Sequence, residues 1–120
     1  MNKIKVSKNF MLSEFESPDT KEVKLTKELI DRLQILRDYL GNKPLVISSG
    51  YRTLEYNKRV GGAPGSKHME GIAVDIYKVE GFTIDEMVQA ADRAGFTGIG
   101  KYTWGIHVDC RPYNARWDWR

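Results

Sequence analysis

Ser66-Lys67-His68-Met69-Glu70-Gly71-Ile72-Ala73-Val74-Asp75 is the stretch that decides the fold, and Gly105-Ile106-His107-Val108-Asp109 near the end of the chain is its counterpart. Apolar residues alternate with polar or small ones between positions 72 and 77, and again between 106 and 110. This period of two is typical of half-buried β-strands. The two stretches therefore predict two strands, each with an apolar face towards a core and a second face towards a cleft.

Both histidines of the chain fall within these stretches, on or beside the predicted strands and close to an aspartate. Two imidazoles and one carboxylate suit a catalytic zinc ion, because such sites use three protein ligands and leave a fourth position for water. The two histidines and a neighbouring aspartate are therefore candidate metal ligands. The residues alone leave a second interpretation open, in which the histidines are ordinary buried polar groups and Asp75 pairs with Arg52.

Length and composition favour one modest domain covering residues 1–120. The chain has 41% hydrophobic and 29% charged residues, which is ordinary for a soluble protein, and a formal net charge of +3. This mild positive charge fits an anionic partner such as a cell wall, but no block of lysine or arginine predicts binding to nucleic acid. No apolar run reaches the length of a signal peptide or a membrane span. We expect a monomer that is made in the cytoplasm.

The single cysteine, Cys110, excludes an intramolecular disulfide bond. A cysteine nucleophile is one interpretation of this residue. Cys110 falls on the apolar side of the last predicted strand, however, and this position favours a buried, unreactive thiol.

The rest of the sequence predicts helices between and before these strands, each marked by a capping residue and a regular apolar spacing. The predicted helices are a short turn at 13–16 and longer helices at 26–40, 53–60 and 83–94, and the predicted strands are 45–49, 72–77, 96–102 and 105–110. This order predicts an α+β fold with a small, mainly antiparallel sheet flanked by helices. We expect the tail aromatics Trp117 and Trp119 to close the core, the alternative being that they line a substrate groove.

The pattern Ser66-x-His68-x-x-Gly71-x-Ala73-x-Asp75, followed by His107 on a later strand, resembles the zinc D-Ala-D-Ala carboxypeptidases and murein endopeptidases. These enzymes share a superfamily with lysostaphin-type enzymes and the Hedgehog signalling domain. Ser49-Gly50-Tyr51-Arg52-Thr53 resembles the upstream Ser-Gly-Tyr-Arg element of the family, and Ile106-His107-Val108-Asp109 resembles its endopeptidase branch. The similarity extends over residues 9–112 and implies a Hedgehog/D-Ala-D-Ala-peptidase-like fold.

The resemblance implies that His68, Asp75 and His107 bind Zn²⁺ and that the resulting positive site makes water acidic enough to supply hydroxide near neutral pH. It implies that Arg52 grips a peptide carboxylate or stabilises the oxyanion of the reaction, against the alternative of a structural salt bridge. Ser66 would support the metal site by hydrogen bonding near His68 or the substrate.

The sequence departs from many relatives at the general base. Those relatives place an acidic residue three positions before the last zinc histidine, or a second histidine two positions before it; Trp104 and Gly105 stand there in this chain. Asp109 is the best local candidate for the base, because it shares a strand face with His107. Asp109 could equally orient a ligand or pair with Arg111. Glu70 lies in the same motif as His68 and ranks below Asp109.

These observations predict a zinc peptidase that acts on the stem peptides or crosslinks of peptidoglycan. Whether it is a carboxypeptidase or an endopeptidase stays open. A released phage or prophage lysis protein fits a bare catalytic domain, and a cytoplasmic enzyme of wall recycling fits it too. Two other classes remain as alternatives: an inactive zinc-stabilised module that binds the wall or a protein, and a metal-free structural domain.

Overall fold

A computed structural model describes residues 3–120 of the chain. The strands are β1 (Lys5–Ser7), β2 (Phe10–Met11), β3 (Ile47–Ser49), β4 (Ala73–Tyr77), β5 (Gly98–Lys101), β6 (Gly105–Asp109) and β7 (Ala115–Asp118). The α-helices are α1 (Lys27–Tyr39), α2 (Leu54–Arg59) and α3 (Ile84–Arg93), and two short 3-10 helices cover Leu12–Phe15 and Lys67–Glu70. The α+β fold class is therefore confirmed.

The main sheet has five strands in the order β3-β4-β6-β5-β7. Every neighbouring pair is antiparallel except β5 and β7, which run parallel. The prediction of a mainly antiparallel sheet is therefore confirmed. The sequence did not predict β7 within the tail, and this short strand adds a fifth, edge position beside β5.

The helices begin where side chains satisfy their first backbone N–H groups. Thr26 Oγ1 accepts from the N–H of Leu29 at the start of α1, and Thr53 Oγ1 accepts from Tyr56 at the start of α2. At α3 the Thr83 hydroxyl and the Glu86 carboxylate exchange bonds with each other's backbone N–H, as a capping box requires. These three predicted helix starts agree with the structure.

The core lies between the helices and one face of the main sheet. The helix α3 packs against β5 and β6, and α1 packs against α3. The buried side chains form one cluster, whose largest fully buried members are Phe10, Phe15, Phe96, Leu29, Leu33, Leu36, Leu40, Ile76, Met87, Ile99, Ile106 and Val74. The apolar faces of both predicted strands point into it, which leaves the opposite face of the sheet for the polar residues.

The N-terminal segment is more ordered than the sequence predicts. The strands β1 and β2 form a small antiparallel pair in a segment where the sequence predicts no strand. The first 3-10 helix begins one residue early, at Leu12, and Glu14 accepts from the backbone N–H of Met11 at 2.6 Å. No helix within residues 3–120 is long and apolar enough to cross a membrane.

Candidate metal centre

The floor of the candidate site is formed by two central strands. Asp75 on β4 and His107 on β6 are direct partners in the antiparallel register, so their side chains project from the same face. His107 Nδ1 lies 2.9 Å from Asp75 Oδ1, and both residues are only 5% exposed. The predicted strand faces therefore place these two residues together.

His68 reaches the same point from the side of the sheet. It lies just before β4 on the 3-10 helix Lys67–Glu70, a helical turn that the sequence did not predict. Ser66 Oγ accepts from the His68 N–H at 3.3 Å, and Gly71 ends the helix with a φ of +72°. A Cβ at Gly71 would overlap the backbone of Lys24, so glycine is required there. His68 Nε2 lies 3.3 Å from Asp75 Oδ1.

The three side chains fit a single metal ion. One ligand atom from each of His68, Asp75 and His107 lies within 4.8 Å of the other two. The remaining ring nitrogens are held from behind: His68 Nδ1 is 2.8 Å from the carbonyl oxygen of Gly50, and His107 Nε2 is 2.7 Å from Asp109 Oδ2. Because those positions suit N–H donors, the lone pairs fall on His68 Nε2 and His107 Nδ1, which both face Asp75.

Charge in the centre follows the same geometry. Burial by itself would raise the pKa of Asp75, but hydrogen bonds with His107 and His68 outweigh it and hold that pKa low. Burial would lower the pKa of His107, yet the carboxylates of Asp109 and Asp75 raise it. The buried centre is therefore a carboxylate flanked by two imidazoles that must share either protons or a cation.

Asp109 lies beneath the metal centre rather than in the cleft. It is fully buried, and its oxygens are bound by His107 Nε2, by Arg111 Nε at 2.9 Å and by Arg111 Nη2 at 2.6 Å. These hydrogen bonds overcome the effect of burial and hold the pKa of Asp109 low. A Cβ at Gly98, the strand partner of Asp109, would overlap this carboxylate. The geometry favours the alternative, a group that orients His107, over the predicted general base at Asp109.

Arg52 lies beside Asp75 in the segment between β3 and α2. Its Nε donates to Ser49 Oγ at 3.1 Å and its Nη1 to Asn57 Oδ1 at 3.3 Å, while Nη2 lies 3.5 Å from Asp75 Oδ2. The guanidinium is thus both the partner of Asp75 and a cation at the cleft. The two interpretations of Arg52 do not exclude each other.

Asn57 is a residue that the sequence interpretation missed. Its side chain is buried, accepts from Arg52 and donates from Nδ2 to the carbonyl oxygen of Ala63 at 2.9 Å. It therefore ties Arg52 to the glycine-rich loop 61–65. A Cβ at Gly62 would overlap Asn57 Oδ1, so the second glycine of the Gly61-Gly62 pair was the available signal.

An open cleft of about 460 Å³ connects these groups to solvent. Its lining comprises Arg52, Ser66, Lys67, His68, Tyr102, His107, Arg111, Tyr113, Trp117 and Trp119 together with residues of the loop 60–65. Within residues 3–120 no aspartate or glutamate lines this cleft. Glu70, the lower-ranked base candidate, is outside the lining and pairs with Lys67 at 3.1 Å.

Trp117 and Trp119 line the cleft, so the expectation that they close the core is wrong. Trp117 lies at the end of a register row that runs from Asp75 through His107 and Gly100. Its ring centroid is 5.0 Å from that of His107. A Cβ at Gly100 would overlap the Trp117 indole. The glycines alternating along β5 are thus what lets bulky side chains lie across the strand.

Cys110 has no place in the cleft. It is half-buried against the core, and burial, with a smaller effect from Glu28, raises the pKa of its thiol to about 12. A thiol of this kind is protonated at neutral pH, which supports the prediction of an unreactive cysteine.

A His-Asp-His donor set under an open cleft, with an arginine beside it, is the arrangement of a mononuclear zinc hydrolase. The chain belongs to the Peptidase M15 family, whose model matches residues 4–110. It is also similar to the zinc D-Ala-D-Ala carboxypeptidase of Streptomyces albus G, with 41% identity over 69 residues. That match covers 57% of this chain but only 26% of the relative's length.

Proposed function

We propose that this protein is a zinc-dependent peptidase that hydrolyses peptide bonds in the stem peptides or crosslinks of peptidoglycan. One observation carries the proposal: the free nitrogens of His68 and His107 and the carboxylate of Asp75 converge beneath an open cleft. Membership of Peptidase M15 and the named activity of the Streptomyces albus G relative support it. The cell wall is the corresponding place of action.

His68, Asp75 and His107 would hold the zinc ion, which the two nitrogen donors and one oxygen donor suit well. When bound, zinc supplies Lewis-acid chemistry that activates water and polarises a carbonyl group. Asp109, fixed by Arg111, would keep His107 in the tautomer and orientation that binding requires. Ser66 would hold His68 in place through its backbone N–H.

Arg52 would bind a negatively charged group of the substrate. Its guanidinium faces the cleft, and Ser49, Asn57 and Asp75 fix its three nitrogens. A cation held in this way stabilises a carboxylate or a developing oxyanion without having to reorganise during the reaction.

Tyr102 is another polar group that lines the cleft and would contact the reacting peptide. Burial, with a smaller effect from the charge of Asp75, raises its pKa to about 12, so the phenol keeps its proton at neutral pH. Tyr102 can therefore donate a hydrogen bond but not accept a proton. Because no carboxylate lines the described cleft, hydrolysis would proceed without a side-chain general base, whose help is typically worth about 10²–10⁴-fold in rate.

The test is digestion of purified peptidoglycan, with the fragments identified by mass spectrometry. Zinc-loaded wild type should release defined fragments, and the metal-ligand variant His68→Ala should release none. Glu70→Gln is the matched control, since Glu70 belongs to the same motif but lies outside the cleft lining, and it should keep full activity. Loss of a terminal residue would indicate a carboxypeptidase, whereas conversion of crosslinked dimers to monomers would indicate an endopeptidase.

The absence of a carboxylate from the described cleft lining favours one second candidate, a zinc-stabilised binding module without turnover. This candidate predicts one zinc ion per chain, retention on insoluble peptidoglycan and no released fragments. That combination of results would overturn the peptidase proposal.

A further inference from the structure

Five aromatic side chains form a continuous strip that starts at the metal centre and leaves the cleft. The strip comprises Trp117, Trp119, Tyr102, Trp104 and Tyr77. Successive ring centroids in this order are 5.9, 6.0, 4.8 and 5.5 Å apart. Trp117 begins the strip against His107, and Tyr77 ends it at the last residue of β4.

The strip is open to solvent over most of its length. Trp119 is 69% exposed, Tyr77 is 49% exposed and Trp104 is 42% exposed. Packing of the described chain therefore does not account for these three residues, since large aromatic side chains normally bury most of their surface. A contiguous exposed aromatic surface that continues out of a candidate active site indicates a binding surface.

The polar edges of the strip are free for a ligand. Within residues 3–120 the hydroxyls of Tyr77 and Tyr102 and the indole N–H groups of Trp104 and Trp119 make no hydrogen bond. Each ring thus offers an apolar face together with an unused donor at its edge. A ligand that matches this surface has apolar faces and a rim of hydroxyl or amide groups.

Three cations next to the strip have acidic partners within the chain, whereas Lys78, beside Tyr77, is exposed to solvent. Arg111, whose guanidinium lies 5.1 Å from the Trp117 ring, binds Asp109, and Arg120 binds Asp118 at 2.9 Å. Lys101 binds Asp85 at 2.7 Å. Because these cations have partners within the chain, the strip favours an uncharged ligand over an acidic polymer or an anionic lipid surface.

We propose that the aromatic strip binds the sugar strand of the wall polymer, an N-acetylated polysaccharide, while the attached peptide lies in the metal cleft. Pyranose rings have C–H faces that stack on aromatic rings and hydroxyl and amide groups that accept from free N–H and O–H donors. The continuity of the strip with the cleft would place a sugar-linked peptide next to His107. This inference rests on the proposed function for its choice of substrate.

The experiment uses an uncharged oligomer of four β-1,4-linked N-acetylglucosamine units as the probe and zinc-loaded protein as the binder. Titration calorimetry and amide NMR shifts should show binding, with the largest shifts at Tyr102, Trp104 and Trp119. The variants Trp104→Ala and Trp119→Ala should each weaken binding and so raise the Kd by about two- to tenfold. Tyr39→Ala is the matched control. Tyr39 is as exposed as Trp104, at 42%, but it lies outside the strip, on α1 against Arg93.

Three results would overturn the proposal. The first is the absence of any shift at millimolar oligomer, and the second is equal weakening in Tyr39→Ala. The third is binding of the protein to phospholipid vesicles, or to a second copy of the chain, that Trp104→Ala abolishes, together with no binding of the sugar oligomer. Sugar binding needs no turnover, so binding by a protein that releases no fragments would refute the peptidase and preserve this inference.

Discussion

The two sides of the metal centre are built by different means. The floor, Asp75 and His107, lies on the paired strands β4 and β6, where regular register alone places both side chains on one face. The wall, formed by His68 and Arg52, lies on short segments outside the sheet. Hydrogen bonds to the Gly50 carbonyl oxygen, the Asn57 side chain and the Ser66 hydroxyl hold these two residues in position. Backbone geometry fixes the floor, whereas individual polar contacts fix the wall.

This difference predicts how each side responds to change. Floor residues are joined to a ladder of backbone hydrogen bonds, so loss of one side chain should leave the strands in place and remove only chemistry. Wall residues depend on single contacts. A substitution in the loop 61–65 should therefore displace Arg52 even though Arg52 itself is unchanged. The variants below separate these two cases.

Asp75→Ala should have the largest effect, because Asp75 contacts both histidines and Arg52. We expect complete loss of bound zinc and of turnover. Removing a buried charge while its partners remain should also cost about 3–5 kcal/mol in the free energy of unfolding. Zinc content after dialysis and denaturant unfolding would measure these effects. The control Asp118→Ala removes an exposed carboxylate and should leave the free energy of unfolding nearly unchanged.

Asp109→Ala tests the floor from behind. Since Asp109 holds the second nitrogen of His107, its loss should weaken zinc affinity by about 10–100-fold while saturating zinc restores much of the turnover. Competition with a chelator measures the affinity. Unchanged affinity together with abolished turnover would contradict this role and restore Asp109 as a general base.

Gly62→Ala tests the wall without altering any side chain of the centre. The new Cβ would overlap Asn57 Oδ1 and come within 3.0 Å of Arg52 Nη1. We expect kcat/KM on peptidoglycan fragments to fall about tenfold at unchanged zinc content, because small displacements of positioned groups are costly. Gly65→Ala is the control, since a Cβ there meets open space in the same loop. Equal losses in both variants would mean that loop flexibility, not the Asn57 contact, matters.

Tyr102→Phe should have the smallest effect of the four. It removes one hydroxyl that can donate to the substrate and leaves the ring stacked on Trp104 at 4.8 Å. A lost hydrogen bond of about 1 kcal/mol predicts a roughly fivefold decrease in kcat. Steady-state kinetics would detect it, and an unchanged kcat would exclude Tyr102 from the reaction.

The sequence predicted the floor better than the wall for the same physical reason. Alternation along β4 and β6 is a local pattern that directly states which residues share a face, so Asp75 and His107 could be paired. The position of His68 depended on the family motif, and its 3-10 helix was not predicted. Asn57 escaped notice because its contacts with Arg52 and Ala63 depend on how the loop folds back.

The tail shows the same limit at longer range. The strand β7 is short and pairs with β5 in parallel, so its partner cannot be identified from the spacing within residues 111–120. Its residues alternate between half-buried and exposed, which resembles an ordinary surface segment. Only the sheet register shows that Trp117 lies over Gly100 and beside His107, where it lines the cleft.

The nitrogens that bind zinc are tested most directly by a long-range ¹H–¹⁵N correlation spectrum of the imidazole groups with and without zinc. The chain has only two histidines, so the spectrum can be assigned from one variant. We expect zinc to shift Nε2 of His68 and Nδ1 of His107, while Nδ1 of His68 and Nε2 of His107 keep their protons towards Gly50 and Asp109. Zinc binding through the same type of nitrogen in both histidines, or through neither, would contradict this expectation.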